Sequence, residues 1–198
     1  MSNDYLYLDP EYVYTDPKTG ILRNLAGVDN WDFLMIIETG ATTKRVKELQ
    51  ENPLKIKNSR TLLDIHYYLF QDIYAWAGKA RIVEISKDGK PFHPVKRFDT
   101  AFQYIDSLIA AYRKIKQTDI EKLSHKLAEI LDTVNFLHPF REGNGRTQRE
   151  FLRTLALEKN LVLNLNPPDN RDIYNRYMSG TINGDIEQLS KLIFELIS

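Results

Sequence analysis

The chain has 198 residues, with 27 Lys+Arg against 27 Asp+Glu and a formal net charge of zero. That balance argues against a generic DNA-coating protein, which would be basic, and against a disordered acidic tail. A hydrophobic content of 42% marks a globular chain, and the absence of cysteine excludes disulfides, zinc-cysteine sites and a thiol nucleophile.

The length suits one domain, residues 1–198. The start, MSNDYLYLDP, has no basic n-region and no apolar h-region, and no apolar run approaches the roughly 18 residues of a membrane span. Residues 1–28 are rich in Tyr, Asp and Pro with turn signals at Asp16-Pro17 and Thr19-Gly20, and read as an ordered but irregular arm. Residues 29–198 read as a helical core, helical from Asn30 onward. Leu62, Ile65, Leu69, Ile73 and Trp76 recur at helical spacing and predict a helix over 59–77, ended by Gly78. The same periodicity predicts helices over 98–116, 119–137 and 145–160, a short one around 170–178 after Pro167-Pro168, and a last one through Ile186 to Leu196. Residues 81–94 differ. Ile82, Val83 and Ile85 are β-branched, Asp88-Gly89 is a hairpin signal, and Pro91 and Pro94 bar the second arm from being a central strand. The expected fold is all-α with a small, exposed β-hairpin flap.

Chemistry concentrates between the third and fourth of these helices, in L-H-P-F-R-E-G-N-G-R-T-Q-R from Leu137 to Arg149. Gly143-Asn144-Gly145 can take positive φ and aim successive N–H groups into one concavity at the positive end of a helix dipole, an anion nest. Arg146, Arg149 and Arg153 share one helix face. Glu142 supplies an oxygen ligand suited to magnesium, which is usually held by one or two carboxylates plus substrate phosphates. His138 is a base that can be neutral at working pH. Each element also has a plainer reading: a GxG turn, an Arg146–Glu150 pair on a solvated face, a surface acid, a helix-ending histidine. Four such groups within twelve residues favour a phosphate site. His66, His93 and His125 stand alone and read as surface or packing residues. No GxxxxGK[ST] or HExxH is present, so neither a P-loop fold nor a zinc hydrolase is supported.

The string from His138 to Arg149 resembles the Fic signature H-x-F-x-x-G-N-G-R-x-x-R, with every fixed position present. The resemblance extends over roughly 55–180, through IHYYLFQDIYAWAGKAR and the flap VEISKDGKPFHP, and more weakly to YTDPKTGILRNLAG in the arm. It implies the mainly α-helical Fic fold and a protein adenylyltransferase that moves AMP from ATP to a hydroxyl of a target protein. In that reading His138 is the catalytic base and Phe140 a buried anchor. Glu142 holds Mg2+, while Asn144 and the N–H groups of Gly143 and Gly145 cradle phosphate oxygens. Arg146 and Arg149 neutralise the β- and γ-phosphates. The flap pairs with an extended target segment by β-augmentation, with Ile85, Lys87 and Phe92 as candidates to touch the target or close the pocket. Tyr174 and Tyr177 could line an adenine pocket, but core packing is the preferred reading. The alternatives are a Fic-type transferase of another phosphate-linked group and an inactive Fic-like partner-binding module.

The family's inhibitory helix carries [S/T]-x-x-x-E-[G/N]. Glu precedes Gly or Asn only at Glu142 and Glu51, and neither fits the pattern. The resemblance therefore implies that a separate small antitoxin supplies this helix, that the inhibitor lies outside this chain, or that the activity is unrestrained, and the separate antitoxin is the preferred reading. For targets it implies either a topoisomerase such as DNA gyrase or a host small GTPase. It implies no direct nucleic-acid or membrane partner. The implied place of action is the bacterial cytoplasm, or another cell if the chain is part of a longer effector.

Overall fold

Helix α4 (Ile120–Leu137) forms because Leu123, Leu127, Ile130, Leu131, Val134 and Leu137 fall on one face, and all six are buried. It is the central rod: α3 (Phe98–Lys114), α5 (Asn144–Leu157), α6 (Arg171–Asn183) and α7 (Ile186–Ile197) all pack against it. On the far side of α5 lies α2 (Thr61–Phe70), which in turn packs on α1 (Trp31–Glu51). These seven α-helices are those of residues 5–197, which the computed structural model describes. The starts are capped as their residue types dictate: Asn30 accepts from Phe33 N–H on α1, Asp119 from Lys122 N–H on α4, and Asn170 from Asp172 N–H on α6.

The helix predicted over 59–77 is a correction. α2 ends at Phe70, and the chain continues in turns, with the Ile73 and Tyr74 N–H groups both donating to the Phe70 carbonyl. Helical periodicity persists in the apolar residues because Ile73, Tyr74 and Ala77 are buried. The backbone leaves the helix there so that the Ile73 carbonyl can accept from Leu25 N–H of the arm.

The hairpin stands as predicted around Asp88 and Gly89, both at positive φ. It joins β2 (Glu84–Lys87) to β3 (Lys90–Pro91). The arm is more regular than predicted. Tyr5–Leu8 form a strand, β1, antiparallel to β2 with Tyr5 opposite Lys87 and Tyr7 opposite Ile85. β2 is therefore the middle of a three-stranded sheet, order β1-β2-β3.

Candidate active site

α4 ends at His138, which takes the left-handed conformation (φ 46°, ψ 60°) that glycine usually supplies at this position. A non-glycine residue there costs about 1–2 kcal/mol, and the consequence is a fixed ring. Nδ1 lies 3.3 Å from the Asn135 carbonyl, which can only accept, so Nδ1 carries the proton and Nε2 keeps its lone pair. The ring is 8% exposed and stacks on Phe92 of the flap at 3.9 Å between centroids. Burial lowers its pKa to about 3, so the imidazole is neutral at working pH.

Pro139 to Glu142 carry the chain from His138 to α5. Phe140 is fully buried and stacks on His66 at 3.8 Å. His66 Nδ1 accepts from Gly78 N–H (2.8 Å), so its Nε2–H donates to the Glu142 carbonyl (3.0 Å). Its burial lowers its pKa to about 3 as well. Asn144 ties the loop from the other side: its Oδ1 accepts from Phe140 N–H (2.9 Å) and its Nδ2 donates to the Phe140 carbonyl (2.8 Å). Both side-chain groups are thus engaged within the loop, and what Asn144 offers a ligand is its backbone N–H.

Gly143 precedes α5 at φ 83°, and a Cβ there would lie 2.3 Å from Phe70 Cζ, so only glycine fits. Its N–H donates to Glu142 Oε1 (2.8 Å). The first turn of α5 leaves the N–H groups of Asn144, Gly145 and Arg146 without a partner among the described residues, at the positive end of the helix dipole. Glu142 Oε1 is engaged, and the half-exposed carboxylate keeps Oε2 for another ligand. No group of three His, Asp or Glu able to hold a metal occurs among the described residues. A single available carboxylate beside free N–H groups fits Mg2+ bound together with phosphates.

The arginines separate. Arg149 has no carboxylate partner among the described residues; its guanidinium lies 5.7 Å from the Tyr174 ring centre and 5.5 Å from that of Tyr177. Arg146 turns the other way, to Glu38 of α1 (2.5 Å), Thr42 Oγ1 (3.3 Å) and Glu142 (3.4 Å), above the Phe70 ring. Glu38 is 1% exposed and also accepts from the Tyr74 hydroxyl. The predicted Arg146–Glu150 pair is absent, because Glu150 pairs with Arg153 instead (2.7 Å).

His138, Phe92, Gly145, Arg149, Tyr174 and Tyr177 share the lining of one cavity of about 500 Å³, together with Tyr5 and Lys87. Tyr177 is both things at once: buried as expected for core packing, and a wall of the cavity, where its hydroxyl accepts from Gln148 Nε2. Of the three flap residues, Lys87 and Phe92 reach this lining. Ile85 is a correction. It is 2% exposed and part of the core, because its side chain lies on the inner face of the sheet, opposite Tyr7, so it anchors the flap and is not in the cavity lining.

Sequence reasoning missed Arg81. Fully buried, it donates from Nε to the His138 carbonyl (2.8 Å), from Nη1 to Val83 (2.6 Å) and from Nη2 to His93 (2.7 Å), above the Phe98 ring. Its own N–H donates to the Pro139 carbonyl (2.7 Å). One guanidinium thus clasps both ends of the flap to the base's backbone. Nothing in a lone Arg marks this in advance. Glu38, an acid inside the apolar run FLMIIE, did carry a signal.

A model of the Fic/DOC family matches residues 56–156. The chain belongs to the Fic/DOC family. It is 36% identical over 146 residues to protein adenylyltransferase VbhT of Bartonella schoenbuchensis, covering 73% of this chain and 30% of VbhT, so it spans under a third of that relative's length. It is 33% identical over 142 residues to the probable protein adenylyltransferase y4lH of Sinorhizobium fredii, covering 71% of this chain and 72% of that one. The fold matches that of BepC from Bartonella tribocorum, a structure with bound AMPPNP, at a TM-score of 0.80 and 18% identity over 94% of this chain and 97% of that one. The mainly helical Fic fold read from the sequence is therefore shown, with β1 added to the flap. No described helix is long and apolar enough to cross a membrane.

Proposed function

We propose that this Fic domain is a protein adenylyltransferase, joining AMP from ATP to a hydroxyl of a target protein. The observation that carries it is the placing of His138, neutral with Nε2 unprotonated, in the same cavity as Arg149 and the N-terminus of α5. Protein adenylyltransferase is also what the relatives VbhT and y4lH are named, and BepC holds AMPPNP in the same fold.

The residues divide the work as follows. His138 Nε2 takes the proton of the acceptor hydroxyl as its oxygen attacks the α-phosphorus, a contribution of about 10²–10⁴-fold. The Pα–O bond to the β-phosphate breaks, and pyrophosphate leaves. The free N–H groups of Asn144, Gly145 and Arg146 and the Arg149 guanidinium face the charge that grows on the phosphate oxygens. Glu142 would hold Mg2+, which when bound neutralises phosphate charge. Asn144, His66 and Phe140 keep the loop in one shape, and Arg81 holds the base to the flap.

The finer reading follows the same geometry. Arg149, without a carboxylate of its own among the described residues, is open to an anionic group from a partner. This suits a separate small antitoxin whose helix offers a glutamate. The target class is a topoisomerase such as DNA gyrase or a small GTPase, inside the bacterium or in another cell. Incubation with ATP labelled at the α-phosphate, Mg2+ and lysate, beside the His138→Ala variant, tests the activity. Protein bands that vanish in the variant are expected. Label entering only from the γ-phosphate would instead mean phosphoryl transfer. Glu142→Ala should remove the Mg2+ dependence together with most of the rate.

A further inference from the structure

The cavity has two ends. His138, Gly145 and Arg149 line the phosphate end. From there the wall continues up α4, where His138, Asn135 and Asp132 follow one another at intervals of three, and up α6 opposite, through Tyr174, Met178 and Ile182. The two helices are tied where Asn135 Nδ2 donates to the Thr181 carbonyl (2.9 Å). The helical rise places Asp132 about 9 Å along α4 from His138. That is close to the span between the α-phosphate of a nucleotide and the far edge of its base.

Asp132 is the odd member of this wall. Its carboxylate is half-buried, and burial alone raises its pKa: no donor and no cation among the described residues lowers it, the flap lysines Lys87 and Lys90 included. The C-terminal turn of α6 passes beside it, since a Cβ at Gly184 would lie 3.6 Å from Asp132 Oδ1. Other polar groups of the lining are already engaged. Thr181 donates to carbonyls of its own helix, and Gln148 donates to the Tyr177 hydroxyl. A partly desolvated acceptor without a donor is thus left at the end of the cavity away from the phosphate nest.

An ionised carboxylate can only accept a hydrogen bond. Adenine carries an amino group at position 6, whereas hypoxanthine and guanine carry a carbonyl oxygen there. We propose that Asp132 reads the base of the nucleotide donor: its carboxylate accepts from the 6-amino group of adenine and turns away 6-oxopurines, whose O6 would face it with no proton between. This rests on the transferase reading above, and it assigns the choice of donor to a residue outside the motif. Tyr174, Met178 and Ile182 give a base apolar surface to lie against, which any purine can use. A placed polar group is what separates one purine from another, because the wrong one leaves it unpaired.

Titration calorimetry with Mg2+ tests this, comparing ATP, ITP, GTP and the triphosphate of purine riboside, which has only hydrogen at position 6. Wild type should bind ATP about 10–100-fold more tightly than the purine riboside triphosphate, the worth of one charge-assisted hydrogen bond, and should bind ITP and GTP more weakly still. Asp132→Asn, whose amide can donate to O6, should erase the preference for ATP over ITP. Asp132→Ala should lower ATP to the level of the purine riboside triphosphate and leave the latter unchanged. Inorganic triphosphate, which meets only the other end, should bind all three chains alike. An Asp132→Ala chain weakened by the same factor for every ligand, the mark of a merely structural role, would overturn the proposal. A wild type that binds ATP, ITP and GTP alike sinks it and leaves the transferase reading standing. A wild type that binds none of them removes both.

Discussion

Two histidines are folded neutral, and this makes stability depend on pH in a window that opens well above that of the carboxylates. His66 and His138 have their pKa lowered from 6.5 to about 3 by burial. Between these values the unfolded state binds the protons and the folded state does not, so stability rises with pH. The contribution is complete above 6.5 and declines steadily as pH falls toward 3. At about pH 5 each histidine forfeits about 2 kcal/mol, or about 4 kcal/mol for the pair, from the 1.36 kcal/mol that one pKa unit represents. Against a domain stability of about 5–15 kcal/mol this is a large fraction. Urea unfolding followed by far-UV circular dichroism at about pH 7.5 and about pH 5 reads it directly. His66→Phe should carry a fixed cost, since Gly78 N–H and the Glu142 carbonyl lose their partner, at about 1–3 kcal/mol each. Its further loss between the two pH values should fall to about 2 kcal/mol, the share of His138. A variant that loses as much as wild type over this interval, or a wild type that loses nothing, would refute the reasoning.

The two motif arginines should part in their effects. Arg149→Ala should abolish labelling while leaving the unfolding midpoint near wild type, whereas Glu38→Ala, which leaves Arg146 with Glu142 and Thr42 and the buried Tyr74 hydroxyl without its acceptor, should cost about 1–3 kcal/mol in urea unfolding. Gly143→Ala should weaken nucleotide binding measured by titration calorimetry, because its Cβ cannot occupy the space of Phe70 Cζ; unchanged affinity would remove the nest from the site. Arg81→Met leaves three carbonyls without their donor, at about 1–3 kcal/mol for each that stays dry. Its flap amides should exchange faster with solvent than those of α4, and equal protection would argue against Arg81 as the clasp.

Motif chemistry was the most legible part of the sequence, because it is local. The His138–Arg149 string fixes a helix end, a turn and a helix start whose backbone groups are near neighbours whatever else the chain does. Helices with a single apolar face, such as α3 and α4, were legible for the same reason. The misreadings all lie where distant segments meet. Ile85 looks like a flap residue free to meet a ligand, but the inner face of the sheet that carries it packs on the core, and β1, which completes that sheet, comes from an arm about 80 residues earlier in the chain. The alternation Tyr-Leu-Tyr-Leu was a strand signal, yet nothing in it names the partner strand. Arg146 looks equivalent to Arg149 on a helical wheel, and only the approach of α1 separates them.

That separation also explains how a site for a triphosphate can sit in a chain of zero net charge. Arg146 lies between two carboxylates, Glu38 and Glu142, so its charge is largely balanced before any ligand arrives. Tyr74 donates to the same Glu38, which keeps that carboxylate a partner for Arg146 despite full burial. The attraction an incoming anion meets is therefore local: Arg149 flanked by tyrosine faces, three backbone N–H groups at the start of α5, and the flap lysines Lys87 and Lys90, with Asp88 and Asp132 on the same lining. A field of that kind decays within about 8–10 Å in physiological salt. It selects by geometry at the nest and does not steer polyanions from a distance, which is why the even charge balance and the anion site are compatible. Such an anion arrives beside a base whose backbone is fastened to the flap by Arg81, so the acceptor's strand and the phosphate end of the cavity are set by the same short stretch of chain.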